Sequence, residues 1–176
     1  MHSKRCYLDL RARHRPGTIK FLFVLESPPT SGNFFYDPTG RVTEPLFSAM
    51  MKIIGHEASS KEDGLAAFAN KGYFLVDATY RPVNQIQNQN RRNQAILSDL
   101  PDLIQDLRSI IESQADKINI VLVKANICRL LEERLSAIGM NVINDKTVIP
   151  FPSHGNQKRF YENMRKVLKS VREVID

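Results

Sequence analysis

The sequence predicts an α/β protein, a three-layer α/β/α sandwich around a mostly parallel central sheet. Three observations lead there. Short runs rich in β-branched and aromatic residues alternate with longer segments whose apolar residues recur every three or four positions. Two of the short runs are apolar almost without interruption, which fits strands covered on both faces. The 176 residues, 42% hydrophobic and 25% charged, are enough for one core. No repeat, low-complexity tract or linker divides them, so one domain spanning 1–176 is expected.

The elements follow in order. The run "IKFLFVL" (19–25) reads as the first strand. Thr43 is the expected N-cap of the helix in "EPLFSAMMKII", with Pro45 near its first turn. Ser60 and Asp63 give a capping-box-like start to a helix in "KEDGLAAFAN", and Gly72 marks its end. The second strand is "GYFLVDA" (72–78). From 93 to 114, Ile96, Leu97, Leu100, Leu103, Ile104, Leu107, Ile110 and Ile111 share one stripe, so one amphipathic helix is expected despite Pro101. A third strand, "INIVLV" (118–123), precedes a helix over 127–138 with Leu130, Leu131, Leu135 and Ile138 on one side. Two further strands, "MNVI" (140–143) and "TVIPF" (147–151), lead to a last helix over 156–174. That helix turns Phe160, Met164, Val167, Leu168 and Val171 inward.

The net charge of +6 comes from the two ends: residues 1–20 carry six Lys/Arg against one acid, and 158–176 carry six against three. A positive edge made of both termini would attract a polyanion such as DNA or RNA; the plainer reading is that basic termini aid solubility. No apolar run approaches the roughly 20 residues that cross a bilayer, and the basic N-terminus lacks the apolar block of a secretion signal. Cys6 and Cys128 stand alone without CxxC spacing, which suggests neither disulfide nor metal cluster and makes a cytoplasmic setting the expectation. Cys128 at a helix start reads as a packing residue before a nucleophile.

In sheets of this kind the working groups sit on loops after the carboxyl ends of strands. Three loops qualify: "ESPPTSGNFFYDPTG" (26–40), "DATYRPVNQIQNQNRRN" (77–93) and "PSHGNQKRF" (152–160). No GxGxxG, GxxxxGK[ST] or GxSxG follows a strand, and the four histidines show no metal-ligand spacing. Neither cofactor nor metal is expected.

Taken together, the loops resemble the motifs of the uracil-DNA glycosylase superfamily, above all its iron–sulfur branch. "LESPP" (25–29) stands where that branch has G-E-A-P-G, and "GNFF" (32–35) where it has G-R-P-F before an apolar helix. "VDATYRPVN" (76–84) has the layout of its strand-end Asn followed by Arg-Pro and a further Asn, and "IPFPSHGNQKRF" (149–160) that of its His-Pro-Ser loop and terminal helix. The likeness runs in order through nearly the whole chain. Its departures are specific. The cluster cysteines are absent, Leu25 replaces the leading glycine, Asp77 replaces the base-reading Asn, and Phe151 replaces the motif histidine, with His154 three residues on.

The resemblance implies a uracil-DNA glycosylase-like fold and a monomeric DNA-repair hydrolase that flips a nucleotide out of single- or double-stranded DNA and releases its base. Glu26 would position water and stabilise the sugar cation, and His154 would support the departing base. Phe34 or Phe35, with Phe35 preferred, would stack on the base, and Tyr36 would close the pocket. Asp77 and Asn84 would read the base; an ionised Asp only accepts hydrogen bonds, which favours bases offering N–H donors over uracil. Ser153, Gly155 and Asn156 at the last helix start, reinforced by Lys158, Arg159 and Arg81, would hold the phosphate backbone. Each residue also has a plainer reading: an ion-paired Glu26, core rings, a loop-capping Asp77, a surface histidine and a solvated basic face. The rival to the enzyme is a binding module on the same fold that holds nucleic acid or a nucleotide without chemistry. An unrelated small-molecule enzyme is a third possibility.

Overall fold

A computed structural model describes residues 3–172, with the side chain of Arg172 excepted. Among these residues the chain forms three strands and seven helices. Strands β1 (Phe21–Leu25), β2 (Tyr73–Asp77) and β3 (Asn119–Leu122) make an open, all-parallel sheet in the order β2-β1-β3. Phe21 sits opposite Tyr73 and Asn119, so all three strands end at one edge. The five residues of β1 and of β2 are buried throughout, as apolar strands covered on both faces are, with Asp77 at the end of β2 the one charged group among them.

Helices α2 (Pro45–Ile54) and α3 (Lys61–Asn70) connect β1 to β2, and α4 (Gln89–Ser98) and α5 (Leu100–Glu112) connect β2 to β3. These two crossovers run in opposite directions along the sheet. Right-handed connections therefore place α2 and α3 on one face and α4 and α5 on the other, an arrangement compatible with three layers. Helix α6 (Ala125–Ala137) follows β3, and α7 (Gln157–Arg172) packs on α2. Residues 173 and 174, the end of the expected last helix, lie outside the described residues.

Local chemistry explains most of these boundaries. The Ser60 side chain accepts from the Asp63 amide and opens α3 as expected. Helix α3 also approaches α2 closely at Gly64, where a Cβ would come within 2.4 Å of the Phe47 ring. The α2 N-cap is Glu44 and not Thr43; the Glu44 side chain makes no cap bond because it turns to Lys61 and the Arg41 amide.

Three larger differences from the sequence expectation remain. The single helix over 93–114 is two, broken at Asp99, because Pro101 lacks an N–H and sits only in a first turn, here that of α5. Residues 140–143 and 147–151 form no strands. Val142 makes one bridge to Ile120, and close by the Asn144 side chain takes over: Oδ1 accepts from the Leu122 amide at 2.7 Å and Nδ2 donates to the Leu122 carbonyl at 3.0 Å. Asp145 and Lys146 then turn the chain away at positive φ. Beyond them Ile149 accepts from the Lys124 amide, and the prolines at 150 and 152 cannot donate to a ladder. Finally, α1 (Lys4–Ala12) was not expected, because its buried face is Tyr7 and Arg11 and lacks an apolar stripe.

Asn144 thus finishes the outer edge of β3 without a strand. Asn144→Ala leaves both Leu122 groups without these partners, and a loss of about 2 kcal/mol in urea unfolding is expected. A change inside about 0.5 kcal/mol would mean that water replaces the amide fully.

Candidate functional site

A cavity of about 440 Å³ opens at the carboxyl edge of the sheet. All three strands contribute to its wall: Leu25 and Glu26 from β1 and the residue after it, Leu75 and Asp77 from β2, and Lys124 just past β3. Loops add Pro28, Phe34, Phe35, Asn84, Phe151 and Ser153. β1 and β3 are neighbours whose following connections leave in different directions, and open α/β sheets bind ligands in that crevice.

Glu26 is 4% exposed and fully engaged. Its Oε2 meets the Lys124 ammonium, and its Oε1 accepts from Asn126 Nδ2 at 2.6 Å. The Asn126 Oδ1 is buried and has no partner among the described residues. Lys124 reaches Glu26 from a backbone with φ of 85° and ψ of 133°, a region that suits glycine and strains other residues. Both ion-pair members had a readable cue. Each is the charged residue that follows an apolar strand run, Glu26 after "FLFVL" and Lys124 after "INIVLV".

Asp77 is buried at the end of β2, and no side-chain hydrogen bond holds its carboxyl among the described residues. Burial drives its pKa up to about 7; Arg11 opposes this and Glu26 adds to it. The expectation of an accept-only Asp77 is therefore revised. The carboxyl holds its proton well above the ordinary carboxylate range, and the protonated acid both donates and accepts as an Asn would.

The aromatic triplet is core. Phe34 and Phe35 line the cavity, but Phe35 packs its ring against Tyr36, Phe47 and Phe68 with centroids 5.1–5.6 Å away. Phe34 leans on Tyr7 at 4.8 Å. Tyr36 does not line the cavity, and its expected closing role is corrected: its hydroxyl accepts from the Leu75 amide at 2.7 Å and donates to the Leu75 carbonyl at 3.2 Å, covering the edge of β2. The ring stacks on His14.

Glu44 also lines this wall, held by Lys61 from α3. The first two loops are pinned to one another. Asn84 exchanges two hydrogen bonds with Thr30, and the Val83 amide donates to Ser27 Oγ. Asn84 therefore faces the cavity with both amide atoms engaged.

The third loop arrives only in part. Ser153 lines the cavity, and its Oγ accepts from Asn156 Nδ2 at 3.3 Å. His154 is exposed and does not line it, a correction that follows from the loop turning outward at Gly155, whose φ is 82°. Gly155, Asn156, Lys158 and Arg159 are exposed at the start of α7, with Lys158 a loose 3.9 Å from Glu162. Arg81 is also misplaced by the sequence reading. Its guanidinium grips both Asp99 oxygens at 2.8 and 2.9 Å and adds the Ala95 carbonyl and Ser98, so the fork is already filled.

Asp77 is shared with a second cavity of about 550 Å³ between α1, α5 and the loop after β2. There Lys4 pairs with Asp102, and Arg11 with both oxygens of Asp106. Two of the N-terminal bases are thereby spent on α5, so the expected open positive edge is smaller at that end.

Burial pushes the Cys128 thiol up to about 11, and its Sγ lies 3.3 Å from the Leu122 carbonyl, as a packing residue should. Among the described residues no group of three or more His, Cys, Asp or Glu could hold a metal ion, and no helix is long and apolar enough to cross a membrane. Comparison with protein-family models, curated proteins and solved structures finds no match to this chain.

Proposed function

We propose that the chain is a uracil-DNA glycosylase-like hydrolase that takes a flipped base into the strand-end cavity and cleaves its N-glycosidic bond. The observation that carries this reading is convergence: Glu26, Asp77, Asn84 and Ser153, from three loops far apart in sequence, line one cavity with Phe34 and Phe35. Its size suits a base with part of its sugar. In this reading Glu26 orients water and stabilises positive charge on the sugar. Asp77 faces the base, the two rings wall its apolar side, and the turn from Ser153 to Asn156 takes a phosphate. Lys158 and Arg159 add charge for DNA.

A binding module on the same scaffold is the second reading. It is favoured by the position of His154 outside the cavity and by the engagement of Glu26 with Lys124 and Asn126.

Incubation with oligonucleotides carrying uracil, hypoxanthine, xanthine or a mismatch separates the two. Alkali-labile abasic product is expected from at least one, and Glu26→Gln should lower that rate by ~100-fold or more with DNA binding retained. Salt-dependent binding with no abasic product on any substrate would leave the module. Wild-type rates in Glu26→Gln would remove Glu26 from the chemistry.

A further inference from the structure

We propose that Lys124 is a second catalytic residue of this centre, exchanging a proton with Glu26 across one turnover and supporting the departing base. The proposal rests on the base-hydrolysis reading above.

Four observations support it. Glu26 and Lys124 follow the two neighbouring strands β1 and β3 at the switch point and touch through Oε2 and Nζ. The lysine side chain is 27% exposed and the glutamate 4%, and both line the cavity. Among the described residues no other Lys, Arg or His lines this cavity, and the histidine expected to support a departing base lies outside it. The backbone at 124 holds a φ of 85° that glycine adopts freely, so the fold keeps a lysine there at a cost in backbone strain. Strain of that kind gathers at working sites. Asn126 completes the device: it holds the other Glu26 oxygen, so the carboxylate stays in place when the lysine swings to a ligand.

The step balances. Water oxygen bonds to the sugar C1′ while one water proton passes to the Glu26 carboxylate. The C1′–N bond breaks and its electron pair moves onto the base. Lys124 Nζ gives a proton to the base carbonyl oxygen next to that nitrogen. The proton on Glu26 then crosses to Lys124, which restores carboxylate and ammonium with no outside acid. Overall, water plus nucleotide gives a free base and an abasic sugar.

Single-turnover base release from oligonucleotides carrying uracil or 5-fluorouracil tests the assignment, because fluorine makes the base a better leaving group that needs less help. Lys124→Met should lose ~100-fold on uracil and ~10-fold or less on fluorouracil, with KM little changed. Lys124→Arg keeps the charge but holds its proton, and should lose at least ~10-fold on uracil even where the Met variant folds poorly. Equal losses on both bases, or a wild-type rate in either variant, would overturn the proposal with the glycosylase reading intact. No base release by the wild type would overturn that reading, and this assignment with it.

Discussion

At pH 8 the Asp77→Asn variant is expected to be more stable than the wild type, and at pH 4 the advantage should vanish. Burial raises the Asp77 carboxyl from an ordinary 3.8 to about 7 in the folded chain. Between those values the folded state keeps a proton that the unfolded state releases. This stabilisation is complete below the unfolded value and is lost as pH climbs through the folded one. The full range corresponds to about 4 kcal/mol. The amide in the variant cannot ionise, so its curve lacks this slope, while groups that do not interact with Asp77 contribute to both proteins alike. Urea midpoints at four or five pH values would decide it; parallel curves for the two proteins would mean that Asp77 is solvated in the folded state. The same titration bears on the proposed chemistry. A protonated Asp77 presents both donor and acceptor to a uracil edge, whereas the anion presents acceptors only.

Lys61→Met should destabilise the chain by about 3–5 kcal/mol. The Lys61 side chain is 0% exposed and its partner Glu44 7%, with Nζ and Oε2 2.8 Å apart. The ammonium also donates to the Phe34 carbonyl at 3.3 Å and lies 4.4 Å from the centre of the Phe47 ring. Burial pulls the Lys61 pKa down, although Glu44 opposes it. The pair therefore stands on a narrow margin between desolvation and attraction. Removing the lysine alone strands a buried carboxylate with only the Arg41 amide. Removing both charges strands nothing, so Lys61→Met combined with Glu44→Leu should recover most of the loss. Equal destabilisation in the single and double variants would show that packing, and not the stranded charge, dominates. Because Lys61 ties α3 to the loop behind Phe34 and Phe35, the single variant should also loosen the cavity wall.

Much of the architecture was readable because it is local. The three strands of the sheet declare themselves by short, largely apolar runs rich in β-branched and aromatic residues, and α2, α3, α6 and α7 by three-and-four periodicity or caps such as Ser60. The same patterns misled where a distant partner intervened. "MNVI" has strand composition, but the Asn144 side chain supplies the hydrogen bonds a longer strand would have made. The first helix hid because Arg11 is buried, which only a partner such as Asp106 permits.

By itself, then, the sequence determined the alternation of strands and helices, the parallel sheet and the loops at its carboxyl edge. Spacing and apolarity along the chain suffice for those. Only the tertiary structure joined Glu26 to Lys124 and Asn126 across about a hundred residues, buried Asp77 enough to hold a proton, filled the Arg81 fork with Asp99 and turned His154 outward. These depend on distance and on exclusion of water in three dimensions, and no local pattern of residues encodes either quantity.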